Sequence, residues 1–229
     1  MRLISGAFLL LVTIILISGC GRQKDSGREE DSAAFDSVEM PAYSGNTAIG
    51  VTQSVKDFAQ WKQVFDSVTD PAAVLSIFAS PDDPQLVTVF ELTHSHQDAK
   101  KHFHSADLMG AMDRAGVTSE PQFRYYDIKF REPGPTPKIY RVAVSHEVED
   151  YDKWKKVFDE DEPIRSKANL ELRAISVDAD DPHLVNIMFA TDNIDKAKEV
   201  INSDELRRRM KEAGVVSEPL ITVLKVAGR

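Results

Sequence analysis

Apolar and polar residues follow one order twice along most of this chain. Apolar residues recur at helical spacing after Asp57 and again after Asp150, and each aspartate is placed to cap the helix that follows it. β-rich runs bounded by turn residues predict the strands. These strands cover 49–55, 74–79, 86–92 and 123–130 in the first half, and 139–148, 172–177, 184–190 and 221–226 in the second.

A helix broken into two pieces is predicted before the last strand of each half. The polar segments 98–104 and 195–202 predict the first piece, and Ser105 or Ser203 caps the second. A Gly-Val pair then suits the end of the helix, with the glycine in the left-handed position. Each half therefore has the order β-α-β-β-α-β of a ferredoxin-like unit.

The two halves are copies of one unit. Segments 57–66 and 150–159 share six of ten residues, and segments 105–121 and 203–219 share nine of seventeen. The offset between the copies grows from 93 to 98, so the second copy carries five extra residues around Glu162-Pro163-Ile164-Arg165-Ser166. Such internal similarity indicates a tandem repeat.

One repeat spans 47–131 and the other spans 138–229, with the proline-rich linker 132–137 between them. Helices cover only one face of the sheet in such a unit. The other apolar face needs a partner, and the second copy supplies it. We therefore predict that the repeats pack sheet to sheet as an internal pseudo-dimer, so that the protein can be monomeric.

The first residues predict an export signal. Residues 3–18 carry no charge after Met1-Arg2. They lead into Ile17-Ser18-Gly19-Cys20, which resembles a bacterial lipobox. The resemblance implies that 1–19 is a lipoprotein signal peptide and that Cys20 is lipidated, with palmitate-type chains that hold the protein on a membrane. An uncleaved membrane anchor is the alternative.

The residues after the signal extend the same prediction. Gly21 follows the cysteine, and the resemblance to lipoproteins, in which an Asp at this position favours the inner membrane, implies the outer membrane, facing the periplasm, if the cell is Gram-negative. Segment 20–46 is polar and rich in Gly and Ser, which predicts a flexible tether. We expect a protein of the cell envelope.

Charge and cysteine content narrow the function classes. The chain has 229 residues with 37 Asp+Glu against 28 Lys+Arg, a net charge of −9. Nucleic-acid binding needs a basic surface, so no nucleic-acid partner is expected. One cysteine excludes an internal disulfide and a cysteine-rich zinc site.

The repeated motifs resemble a known superfamily. Asp-Tyr-x-x-Trp-Lys-x-Val-Phe-Asp, Asp-Asp-Pro-His-x-Val and Ser-x-x-Leu-x-x-x-Met-x-x-Ala-Gly-Val-x-x-x-Pro resemble uncharacterised bacterial dimeric α+β barrel proteins, which include antibiotic biosynthesis monooxygenase-like domains. The resemblance covers about 47–130 and 138–228. It implies an α+β fold: tandem ferredoxin-like βαββαβ repeats forming an intramolecular pseudo-dimeric α+β barrel. It also implies a pocket between sheet and helices.

Three residues are candidates for catalysis. Arg165 lies in the expansion of the second repeat and could clamp a carboxylate or enolate, and His183 could move protons near neutral pH. The alternative is that both are loop residues in water. Tyr125 and Tyr126 face opposite sides of their strand, and the phenol of Tyr126 could orient a planar ligand.

The histidine-rich stretch 94–104 raises a metal hypothesis. On a helix His102 and His104 point in different directions, while Asp98 and His102 could share an ion or form a surface charge pair. The second repeat lacks these side chains at the corresponding positions. We expect neither a metal nor a cofactor.

Two functions remain open. The first is an envelope lipoprotein that binds a small apolar or aromatic ligand or acts as an accessory protein. The second is a cofactor-independent monooxygenase-like enzyme, or a heme-handling variant, acting on a small aromatic substrate. A cavity in which Arg, His and Tyr converge would favour the enzyme, and a collapsed aliphatic interior would exclude it.

Overall fold

The computed structural model describes Tyr43 and residues 45–228. The predicted signal peptide, Cys20 and nearly all of the predicted tether lie outside the described residues. No helix in the part of the chain that the structure describes is long and apolar enough to cross a membrane.

Each repeat contains four strands and a series of helices in the predicted order. The first repeat comprises β1 (Thr47–Ser54), α1 (Phe58–Val68), β2 (Val74–Ala79), β3 (Leu86–Thr93), α2 (His96–Phe103), α3 (Ala106–Arg114) and β4 (Gln122–Arg131). The second comprises β5 (Tyr140–Glu147), α4 (Tyr151–Glu160), α5 (Glu162–Lys167), β6 (Glu171–Asp178), β7 (Leu184–Thr191), α6 (Ile194–Ile201), α7 (Asp204–Glu212) and β8 (Leu220–Gly228).

Side-chain caps begin the helices at the predicted residues. The carboxylate of Asp57 accepts a hydrogen bond from the backbone N–H of Gln60 at 2.7 Å, and Asp150 caps α4 in the same way. The predicted serines cap α3 and α7. Gly116 follows α3 with a φ of 78°, a left-handed conformation that costs glycine little.

The eight strands close into one barrel in the order β1-β3-β2-β8-β5-β7-β6-β4. Two antiparallel seams join the repeats: Phe78 of β2 pairs with Val226 of β8, and Asp127 of β4 pairs with Val177 of β6. The closure leaves neither sheet with a free edge. The predicted fold, tandem ferredoxin-like repeats arranged as an intramolecular pseudo-dimer, is confirmed.

Alternate residues of each strand face either the helices or the barrel interior. Trp61 of α1 and Trp154 of α4 are each 2% exposed and pack in the apolar layer between helices and sheet. Burial of large apolar side chains of this kind contributes roughly 1.5–3 kcal/mol each to stability. Both tryptophans therefore belong to the core, and Trp61 also lines a cavity between the helices and the sheet.

The five-residue expansion of the second repeat forms a helix, whereas the alternative interpretation of the sequence placed Arg165 in a loop. It forms α5, which has Pro163 in its first turn and basic residues in its last turn. The guanidinium of Arg165 lies 3.9 Å from the centre of the Phe158 ring and donates a hydrogen bond to the Phe158 carbonyl. Arg165 is therefore half-buried against α4 and is not a loop residue in water.

Candidate functional site

A cavity of about 710 Å³ lies between the helices and the sheet of the first repeat. We call it the helix-side cavity. Its walls are mainly apolar. It opens to solvent where its lining residues are exposed. The apolar lining comprises Val51, Trp61, Val64, Phe65, Val68, Ala73, Val89, Leu92, Ala99, Phe103, Leu108, Ala111, Met112 and Ala115.

Glu91 of β3 is the charged group buried in this cavity. It is 9% exposed and continues the helix-facing positions of Val87 and Val89. Burial raises its pKa from the ordinary 4.5 to about 7, because a charged carboxylate loses its hydration there. Its carboxyl group makes no hydrogen bond or ion pair with the residues that the structure describes.

Gln53 of β1 adds a second buried polar group to the lining. It is 4% exposed, and its amide oxygen has no hydrogen-bond partner among the described residues. An unpaired buried acceptor costs about 1–3 kcal/mol, so a ligand donor at this position would be stabilising. The cavity thus combines apolar walls with two polar groups that can orient a ligand.

Aromatic and acidic side chains line the solvent end of the helix-side cavity. Tyr43 stacks on His94 with ring centres 4.6 Å apart. Asp70, Asp98 and His102 lie in the same lining and are exposed. Burial, reinforced by the charges of Asp70 and Glu91, raises the pKa of Tyr43.

The second repeat fills the corresponding space with apolar side chains. Phe189 occupies the position that Glu91 has in the first repeat, given the offset of 98. Phe189 stacks on Phe158, and both belong to a buried cluster with Ala168 and Leu170, which follow α5. The extra residues of the second repeat thus lead into its core, and the pseudo-dimer is asymmetric.

A second cavity of about 820 Å³ lies inside the barrel and is lined by both repeats. We call it the barrel cavity. Tyr126 lines it, and burial raises the pKa of its phenol to about 12. A Cβ at Gly50 would lie 3.0 Å from the Tyr126 ring and 3.1 Å from the Phe90 ring, so these rings would have to shift to admit a side chain there. The charged residues that line the barrel cavity are Arg124, Arg131, Glu132, Lys138, Arg141 and Arg173.

The three predicted catalytic residues do not meet in one site. Tyr126 faces the barrel cavity, Arg165 packs on Phe158 outside the sheet of the second repeat, and His183 precedes β7. His183 is exposed, and its Nδ1 lies 3.0 Å from the Val148 carbonyl oxygen. Their catalytic assignment stays a prediction.

The histidines of stretch 94–104 have separate neighbours. His96 Nε2 lies 2.8 Å from Asp127 Oδ1, while the rings of His102 and His104 pack edge-on against Phe103 and Phe123. Among Tyr43 and residues 45–228, no three His, Cys, Asp or Glu side chains are grouped closely enough to hold a metal ion.

Comparison with solved structures identifies the same fold elsewhere. A proposed monooxygenase from Lactobacillus acidophilus NCFM superposes with a TM-score of 0.53 at 9% identity, covering 79% of this chain and 94% of that one. An anthrone oxidase-like protein gives 0.51 at 12% identity over 82% and 94%. A proposed chlorite dismutase gives 0.51 at 11% identity over 80% and 95%.

These likenesses show the fold alone. No family model matches the chain. No curated protein matches it either. The structural class is therefore a tandem, ferredoxin-like α+β barrel, a fold that this chain shares with these solved structures.

Sequence reasoning missed Glu91 and Gln53. Both lie on predicted strands, where helix-facing positions are otherwise apolar. Alignment of the repeats contains the signal, because Glu91 corresponds to Phe189 and Gln53 to His146. A carboxylate in place of a core phenylalanine indicates a changed environment, since an unpaired buried charge is costly.

Proposed function

We propose that this protein is an envelope lipoprotein whose first repeat binds a small apolar or aromatic ligand in the helix-side cavity. The difference between the repeats is the observation that supports the proposal. The first repeat keeps about 710 Å³ open around a buried carboxyl group, whereas the second packs Phe189 at that position. A volume in this range suits a small organic molecule.

Membrane attachment is the second part of the proposal and rests on Cys20 and the segment before it. Two or three acyl chains would hold the protein on the membrane, because each buried methylene adds about 0.8 kcal/mol. The outer membrane facing the periplasm is the proposed location in a Gram-negative cell.

The lipid anchor predicts a specific labelling result. Cells given radiolabelled palmitate should label the wild-type protein, and Cys20→Ala should abolish the label and release the protein from the membrane fraction. Intact mass should show that residues 1–19 are absent. A wild-type protein that retains these residues and carries no lipid would contradict the anchor and support an uncleaved span.

Ligand binding in the first repeat predicts a co-purifying molecule. Native mass spectrometry of protein purified from its own membrane should detect a bound small molecule. Glu91→Phe, which copies the residue of the second repeat, should lower its occupancy roughly tenfold or more by filling the cavity. The matched control Phe189→Leu alters the second repeat and should leave occupancy unchanged. Equal loss in both variants would contradict binding in the first repeat.

A cofactor-independent monooxygenase-like enzyme is the second candidate. The names of two structural neighbours and the position of Glu91 favour it, because a carboxylate with a pKa of about 7 suits proton abstraction near neutral pH. The same experiment tests it: on incubation in air the co-purified compound should exchange two hydrogens for one oxygen atom of O2, the second oxygen atom leaving as water, and Glu91→Gln should slow the change. A compound that stays unaltered would favour binding alone.

The heme-handling variant fits the lining residues less well. The histidines that line the helix-side cavity, His94 and His102, are both exposed. Within the described lining, neither is buried in the cavity as a ligand to heme iron would be.

A further inference from the structure

We propose that the helix-side cavity selects an apolar amine, with the protonated nitrogen of the ligand placed against the carboxylate of Glu91. This inference rests on the proposed binding function and names the chemical class of the ligand. It assigns Glu91 the role of a charge partner for the ligand.

Burial of Glu91 without a partner is the first observation behind this inference. The side chain is nine-tenths buried, yet its carboxyl group contacts open space and no cation among the described residues. An ionised carboxylate in such a position is costly to the protein alone. A ligand ammonium group would supply both the opposite charge and N–H donors.

The charges around Glu91 are the second observation. The titratable groups that face the cavity from every neighbouring element are Tyr43, Asp70, His94, Asp98 and His102. No lysine or arginine occurs among the described lining residues. An anion would meet two further carboxylates on entry, whereas a cation would be attracted.

The spacing of the carboxylates indicates that the cation is organic. A bare metal ion needs several oxygen ligands at about 2.0–2.6 Å. Asp70, Glu91 and Asp98 form no such group in the described part of the chain. The remaining volume is bounded by apolar side chains, so the favoured cation has a substantial apolar body.

Aromatic side chains of the walls also suit a cation. Trp61 and Phe65 stack with ring centres 5.0 Å apart, and both residues belong to the lining of the helix-side cavity. Aromatic faces attract ammonium groups, and the attraction grows when water is excluded. Gln53 adds an unpaired amide oxygen that can accept a further hydrogen bond.

Calorimetry with three probes of one shape tests the inference on the full chain at pH 8. The probes are 3-phenylpropylamine, 3-phenylpropan-1-ol and 3-phenylpropanoate. The amine should bind about tenfold or more tightly than the alcohol, and the carboxylate should bind most weakly. Glu91→Gln should reduce the amine affinity to that of the alcohol. The affinity of Glu91→Gln for the alcohol should stay within about twofold of the wild-type value, because the neutral ligand does not pair with the Glu91 charge. The distant variant Glu120→Gln should change neither.

The outcomes separate this inference from the proposed function. Retained alcohol binding in Glu91→Gln shows that the variant is folded, so a loss confined to the amine supports the charge pair. Equal affinities for amine and alcohol would overturn the amine preference and leave a general apolar site. Failure of all three probes to bind would overturn both proposals.

Discussion

Replacing Glu91 by Gln should stabilise the protein by about 3 kcal/mol at pH 8 to 9 and change its stability little near pH 4.5. In the folded protein the pKa of Glu91 is about 7, above the ordinary 4.5. The folded state therefore holds a proton that the unfolded state has released between these values. The favourable contribution of the protonated form is present below pH 4.5 and is lost as the pH rises through 7.

Urea unfolding followed by tryptophan fluorescence measures this effect, because Trp61 and Trp154 are both buried. The difference in unfolding free energy between Glu91→Gln and wild type should grow from pH 4.5 to pH 8. Glu120→Gln alters an exposed glutamate of the same repeat and should show no such trend. A constant difference across this range would mean that Glu91 is ionised normally and that the cavity is wetter than the structure indicates.

The elements of both repeats could be predicted because their signals are local. Asp57 and Ser105 accept hydrogen bonds from N–H groups three residues ahead, and these contacts need no distant partner. Gly116 adopts the left-handed conformation that its place after a helix requires. The repetition of these signals indicates two copies, and the uncovered sheet face of each copy indicates a shared interface.

The open cavity could not be predicted from the same signals. Its volume depends on how side chains far apart in sequence fill one space, including Ala73, Ala99 and Ala111. The pattern of β3 is also compatible with Glu91 at a solvated strand end. Only the packed fold shows that the side chain is buried and lines a cavity.

The sequence does not show whether the three candidate catalytic residues lie near one another. Residue type and position in a loop or strand are the only signals that the sequence offers for Arg165, His183 and Tyr126. The position of Tyr126 relative to Arg165 and His183 depends on the pairing between the repeats, whose register shifts at Ile77/Phe78 in one seam and at Ile128/Phe130 in the other. Local pattern does not determine such long-range register.

Divergence of the repeats accounts for the asymmetry of the site. A barrel built from two units needs apolar packing between helices and sheet in both for stability. The second unit meets this need with Phe158, Leu170 and Phe189. The first unit keeps a volume open and carries a buried carboxyl group, which lowers stability unless a ligand is bound. Functional sites commonly break packing rules in this manner.

The second repeat should have the opposite pH dependence because of His146. This residue is 4% exposed, packs edge-on against Trp154, and neither ring nitrogen has a hydrogen-bond partner among the described residues. Burial lowers its pKa from 6.5 to about 4. Between these values the unfolded state binds a proton that the folded state does not, so its contribution to stability is lost as the pH falls below 6.5.

His146→Leu should remove this loss, which amounts to about 3 kcal/mol between pH 7 and pH 4. The variant also removes two unpaired nitrogens from the core, so it should be more stable than wild type at pH 4.5. The control is His183→Leu, which replaces an exposed histidine of the same repeat. Its unfolding free energy should depend on pH as that of the wild type does. Urea unfolding at each pH measures the contribution of His146 to stability, because Glu91 is unchanged in both variants. If His146→Leu and wild type lost stability equally on acidification, His146 would be protonated in the folded core. The packing around Trp154 would then have to admit water or a counter-charge.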